Sequence, residues 1–159
     1  MQDALNGQVT AELESAYVYL SMAAWFESQN LPGSAKWMRR QAREEAAHAM
    51  KIFDFIADRD GRVKLAALPA PPAEWAEVQD VWAAAYAHEQ KISGAIGRLV
   101  ELAAAEKDHA SYAMLQWFVT EQVEEEKTAK SILDQVKMIR HSTALYFIDR
   151  HLGKDAEKE

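Results

Sequence analysis

The sequence predicts an all-α protein: a four-helix bundle with one long crossover between helices two and three, and a short fifth helix near the C-terminal end. Three observations carry this. Apolar residues recur at helical spacing through four long segments. The 4 Pro are confined to two places, Pro32 and the stretch holding Pro69, Pro71 and Pro72. The connections left between the segments are short, long and short, the order of a bundle with one crossover.

Helix one is expected over about 3–29, where Leu5, Val9, Glu12, Ala16, Tyr19, Ala23 and Phe26 form one stripe. Asn30-Leu31-Pro32-Gly33 reads as a break. It is short, so helices one and two are expected as antiparallel neighbours. Helix two is expected over about 34–60, with Gly61 as its stop. The proline-rich stretch 62–76 is too long for a tight turn. About 15 extended residues span roughly 50 Å, and a helix of about 27 residues is roughly 40 Å long. The stretch can return the chain along the bundle and make helices two and three parallel.

Helix three is expected over about 77–106, with Val78, Trp82, Ala85, Glu89, Ile92, Ile96 and Val100 on one face. Gly94 and Gly97 weaken it by about 1 kcal/mol each relative to Ala, which suggests close packing there. Asp108 is placed to cap helix four, expected over about 109–140. Its stripe is Met114, Leu115, Phe118, Glu121, Gln122, Glu125, Ala129, Ile132 and Val136. A break near His141-Ser142 precedes an amphipathic piece over 143–152. Gly153 is expected to end it, leaving a charged tail. The whole reads as a single domain over 1–159.

Composition narrows the function. The formal net charge is −7, which argues against nucleic acid as a partner and favours attracting cations. The chain has 0 Cys, so thiolate metal sites and disulfides are excluded. No apolar run approaches a membrane span, and the first residues do not read as a secretory signal. A cytoplasmic location is the simplest expectation.

Each helix carries a polar interruption of its apolar stripe: Glu12; Glu45 with His48; Glu89; and Gln122 with Glu125. Each lies within about five residues of its helix centre, roughly 8 Å of rise, so in a bundle they meet. Four carboxylates, one imidazole and one amide at one level require a counter-ion. Two divalent cations supply it. Mixed carboxylate and single-His ligation suits iron or manganese, and Glu45 is the natural bridge.

The motifs resemble those of the ferritin-like di-iron family. Helix four carries Glu121-Gln122-Val123-Glu124-Glu125-Glu126 where bacterioferritins keep a second Glu-x-x-His, and this is similar to the Glu-Gln-x-Glu-Glu-Glu of non-haem bacterial and archaeal ferritins. Glu12-Leu13-Glu14-Ser15-Ala16-Tyr17, Glu44-Glu45-Ala46-Ala47-His48, His88-Glu89-Gln90 and Leu145-Tyr146-Phe147-Ile148-Asp149 match in order. The resemblance implies a ferroxidase storing ferric oxide in a homo-oligomeric cage of 24 subunits. It implies one iron on Glu12, Glu45 and His48, and a second on Glu45, Glu89 and Glu125. It also implies a Gln122 amide bonded to the centre, and a third site at Glu44, Glu121, Glu124 and Glu125. Tyr19 is similar to the family's tyrosine beside the centre, an electron donor, and Trp117 is expected nearby. Ala46 stands where a haem-binding Met follows the bridging Glu, so no haem is expected there. The amphipathic end piece is expected around a cage axis or folded back on its own bundle. Two other functions fit a similar bundle: a discrete di-metal peroxidase or oxygenase, and a DNA-protecting binding protein.

Overall fold

The computed structural model describes residues 1–139 and 142–157. Among them are five α-helices and no strand: α1 (Gln2–Ser28), α2 (Pro32–Asp58), α3 (Val78–Ala105), α4 (His109–Lys137) and α5 (Ser142–Asp155). The expected end of helix four at Arg140, the break at His141 and the last two tail residues lie outside the described residues.

The first three helices end alike. Asn30, Asp60 and Lys107 take φ of 57°, 56° and 56°. The next N–H returns to a carbonyl one turn back: Leu31 to Phe26 at 3.0 Å, Gly61 to Ile56 at 2.9 Å, Asp108 to Ala103 at 2.9 Å. This is the left-handed helix stop. Asp60, not Gly61, supplies the left-handed residue. Gly61 is required for another reason: a Cβ there would meet the Ile56 carbonyl at 2.7 Å.

Two expected boundaries move. Pro32 and Gly33 begin α2 and do not merely break the chain. Proline suits the first turn, where its missing N–H has no partner to lose. Gly153 lies inside α5, which continues to Asp155. Its own Cβ would stand 3.1 Å from Gly33 Cα, and a Cβ on Gly33 would strike the Asp149 carbonyl at 1.8 Å. These two glycines let α5 and the start of α2 touch. Gly94 and Gly97 are not close-packing positions: both are exposed, with nothing within 4 Å of a Cβ on Gly97.

α1 packs along α2, and α3 along α4. The start of α1 lies at the end of α3, where the Met1 amine meets Glu106 at 2.8 Å. The connection 59–77 runs back along α1. The Asn6 amide donates to the Arg62 carbonyl at 3.1 Å and its Oδ1 accepts the Lys64 N–H at 2.7 Å. Further on, the Ser21 hydroxyl donates to the Pro72 carbonyl at 2.5 Å. Asp108 caps α4, accepting the Ser111 N–H at 3.1 Å, and Arg59 binds both its carboxylate oxygens at 2.7 Å.

The core has two halves. One is mostly aliphatic: Leu5, Val9, Ile52, Ile56, Ile92, Ile96, Leu99 and Leu115 with Phe118. The other is built on rings: Tyr19, Trp25, Phe26, Trp37 and Trp82. Between them lies a layer of buried polar residues.

α5 folds back on its own bundle. Asp149 accepts the Gly33 N–H at 3.0 Å, the Ser34 N–H at 2.7 Å and the Ser34 hydroxyl at 2.7 Å. A carboxylate here satisfies N–H groups that the first turn of α2 leaves open and sits at the positive end of its dipole. Leu152 and Ala156 are buried, whereas Tyr146 and Phe147 face outward.

Candidate metal centre

Glu12, Glu45, Glu89 and Glu125 are 1%, 2%, 1% and 8% exposed, with His48 at 6% and Gln122 at 5%. Each sits near the middle of its helix. The apolar neighbours one turn away draw that face inward, so the polar side chain is carried into the core with it. Glu45 and His48 share one face of α2 through their three-residue spacing.

One ligand atom each from Glu12, Glu45 and His48 lie within 4.8 Å of one another. The same holds for His48, Glu121 and Glu125. His48 is common to both groups. Glu89 belongs to neither group, but its charge acts on Glu12, Glu45 and Glu125. Tyr19 donates its hydroxyl to Glu89 Oε1. The Gln122 amide donates to Glu89 Oε2 at 3.2 Å.

Two amides missing from the expected site hold two of the other three carboxylates, Glu12 and Glu125. The Gln8 amide donates to Glu12 Oε1 at 2.9 Å, and the Gln41 amide donates to Glu125 Oε2 at 2.9 Å. Both stand four residues before an inward Glu, Gln8 before Glu12 and Gln41 before Glu45. For Gln8 that spacing leads to its own partner; for Gln41 it does not, because the partner lies on α4.

Burial and crowding disfavour charge on these carboxylates. Burial raises Glu12 and Glu89 above the usual range. It raises Glu45 well above, with the charges of Glu89 and Glu12 adding to it. Glu125 is pushed to about 8 by burial and by the charges of Glu89, Glu44 and Glu121. Tyr19 is held well above 10 by burial and by Glu89. Burial and Lys51 lower His48 to about 4. His48 is thus neutral, and its 3.6 Å approach to Glu45 is not an ion pair.

The donor set fits divalent cations. Glu12 Oε2 and His48 Nδ1 are buried and take no hydrogen bond among the described residues. A buried oxygen and a buried imidazole nitrogen in one cluster, each without a partner, are satisfied together by a shared cation. Carboxylate oxygens with one neutral imidazole form a hard donor set suited to iron or manganese.

The remaining expected residues flank the cluster. Glu121 is half-buried and raised by burial and by Glu124. Glu44 is half-buried with Arg40 Nε 3.6 Å away, and Glu124 is exposed. Trp117 lies edge-on to His48, with centroids 5.3 Å apart, and Lys51 Nζ stands 4.3 Å from its ring centre. Glu106 and His109, a second Glu-x-x-His in spelling, straddle the α3–α4 turn and take no part.

The comparisons with known proteins agree over nearly the whole chain. The Ferritin family, described as a ferritin-like domain, matches residues 2–139. A bacterial non-heme ferritin of Bacteroides fragilis (strain 638R) is 40% identical over 154 residues, covering 97% of this chain and 96% of that one. One from Escherichia coli O6:H1 is 36% identical, covering 96% and 93%. A crystal structure of an open pore ferritin from the hyperthermophilic archaeon Archaeoglobus fulgidus superposes with a TM-score of 0.95. It is 48% identical and covers 96% of this chain and 93% of that chain.

Proposed function

The chain belongs to the ferritin family, whose function is iron storage, and on that premise we propose that it oxidises Fe(II) with dioxygen at the buried cluster and stores the ferric product inside a cage of its own copies. One observation carries the reading: four buried carboxylates and a neutral histidine converge between four helices, with Glu12 Oε2 and His48 Nδ1 lacking any partner among the described residues.

Two Fe(II) ions are the substrate. Glu12, Glu45 and His48 hold one, Glu45, Glu89 and Glu125 the other, with Glu45 between them. Glu44, Glu121, Glu124 and Glu125 form a third station. The carboxylates neutralise the ions and hold them as a pair, so that dioxygen can take electrons from both. His48 needs no deprotonation to bind. Gln8, Gln41 and Gln122 fix the carboxylates they donate to, and Tyr19 fixes Glu89.

The assembly is a homo-oligomer, read as 24 subunits. The chain acts as a single domain in the cytoplasm, without nucleic acid or membrane partners; no helix among the described residues is long and apolar enough to cross a membrane. The test is aerobic addition of Fe(II), followed by ferric absorbance and by particle mass. The native protein should oxidise the ions rapidly as a large particle. Glu45→Ala combined with His48→Ala should lose rapid oxidation. Equal rates in the two proteins would refute the site, and a small oligomer would refute the cage.

A further inference from the structure

We infer that the groove between α3 and α4 is the port through which dioxygen reaches the buried cluster, apart from the carboxylate-bearing face that serves the ions. The port presupposes the iron reading above and adds to it the place where the gas enters.

Glu12, Glu45, Glu89, Glu125, His48 and Gln122 are all buried, so a substrate has to pass between helices to reach them. A groove of about 200 Å³ between α3 and α4 ends on one of these residues. Its floor is Ile96, the half-buried Ser93 and the Gln122 side chain. Its rim is Gly97 on one wall and Val119 and Val123 on the other. The Gln122 amide donates to Ser93 Oγ at 3.4 Å and to Glu89 Oε2 at 3.2 Å. One amide therefore separates the groove from a carboxylate of the centre.

Neither rim is explained by packing or by helix formation. Gly97 weakens the interior of α3 relative to Ala, yet a Cβ there would meet nothing within 4 Å. No close approach requires the glycine. What its missing side chain leaves is an open notch beside the floor. On the other wall Val119 and Val123 are 39% and 68% exposed, on a helix whose nearby outward positions include Gln116, Thr120 and Glu124. Branched side chains are no better than these at forming a helix. They keep the rim apolar.

The lining selects a neutral molecule. Glu126 is the one charged side chain at the groove. A hydrated cation would shed water against valine and isoleucine at a cost, whereas an apolar gas gains by leaving water. Ions have another approach, since Glu44, Glu121 and Glu124 flank the cluster on α2 and α4. Dioxygen passes the groove unchanged, and no bond forms or breaks before it meets the iron pair.

The test has two arms, both on the full-length assembly. Native crystals under xenon, a gas that settles in apolar cavities, should show an anomalous peak in the groove. In solution the assembly is loaded anaerobically with two Fe(II) per chain and mixed with dioxygen at a series of concentrations. Gly97→Leu puts a side chain into the notch, and Val123→Phe enlarges the opposite wall; neither touches the cluster. In both, the half-saturating dioxygen concentration should rise several-fold, while the rate at saturating dioxygen and anaerobic Fe(II) binding stay native. Glu126→Gln should leave all three unchanged, because the gas carries no charge. Absence of the xenon peak, or a native dioxygen dependence in both rim variants, would overturn the port and leave the iron reading standing. Slower Fe(II) uptake in Gly97→Leu and Glu126→Gln would assign the groove to the cation and overturn the port as well. Native protein that forms no ferric product with dioxygen would overturn both.

Discussion

Gln41 on α2 donates its side-chain amide to Glu125 Oε2 on α4 at 2.9 Å. The bond crosses the bundle and fixes that carboxylate. Gln41→Leu keeps the volume and removes the donor. It leaves a buried oxygen unsatisfied, at a cost of about 1–3 kcal/mol in the metal-free protein. Chemical denaturation should register that loss. Anaerobic Fe(II) titration should show weaker binding at the stations Glu125 serves and unchanged binding at the one that Glu12 and His48 hold, because Gln8 and not Gln41 positions Glu12.

Stability of the metal-free protein should fall as pH rises from 6.5 to 8. Glu12, Glu45, Glu89 and Glu125 all have folded-state affinities for protons above those of free glutamate, with Glu125 at about 8. Above the ordinary glutamate value the folded state therefore binds more protons than the unfolded one, and stability declines until the raised values are passed. His48, lowered to about 4, acts in the opposite direction, but only between about 4 and 6.5. In the upper window the carboxylates act alone, and Glu125 by itself contributes about 1–2 kcal/mol of decline. Thermal melts with chelator present should show it. Added divalent cation should reverse the slope, since binding displaces the protons. A metal-free melting temperature that rises between pH 6.5 and 8 would contradict a folded state that holds these carboxyl groups protonated.

The site was legible in the sequence because its chemistry follows helical spacing. Glu12, Glu45, His48, Glu89, Gln122 and Glu125 each interrupt an apolar stripe, and a buried carboxylate among Leu and Ile has few explanations. The supporting amides were not legible in the same way. Gln41 lies in the run Arg39-Arg40-Gln41-Ala42-Arg43, where a polar residue reads as solvated, although it is 2% exposed. Helix stops were misplaced where glycine served contact and not conformation. Gly153 and Gly33 permit α5 to meet α2 across more than a hundred residues of chain, a relation that no local pattern encodes. The partner of Asp149 was hidden for the same reason.

Asp149→Ala should loosen α5 without disturbing the centre. The carboxylate accepts three hydrogen bonds at the start of α2. Its removal should cost about 2 kcal/mol. Hydrogen exchange should accelerate in α5 and in the first turn of α2 while remaining slow at the middle of α2. Unchanged exchange in α5 would show that Leu152 and Ala156 suffice to dock it.

Two glycine substitutions should part sharply. In Gly33→Ala the new Cβ would stand 1.8 Å from the Asp149 carbonyl, so α5 must shift or detach. In Gly97→Ala nothing lies within 4 Å, and the helix should gain about 1 kcal/mol from propensity. Melting temperatures of the two variants should move in opposite directions from that of the native protein.

The most direct measurement is anomalous diffraction at the iron edge from crystals soaked anaerobically in Fe(II). Two iron peaks should appear within the bundle, one bounded by Glu12, Glu45 and His48, the other by Glu45, Glu89 and Glu125, with Glu45 touching both. Iron bound only outside the bundle, or a lone peak that Glu89 and Glu125 do not reach, would contradict a paired centre.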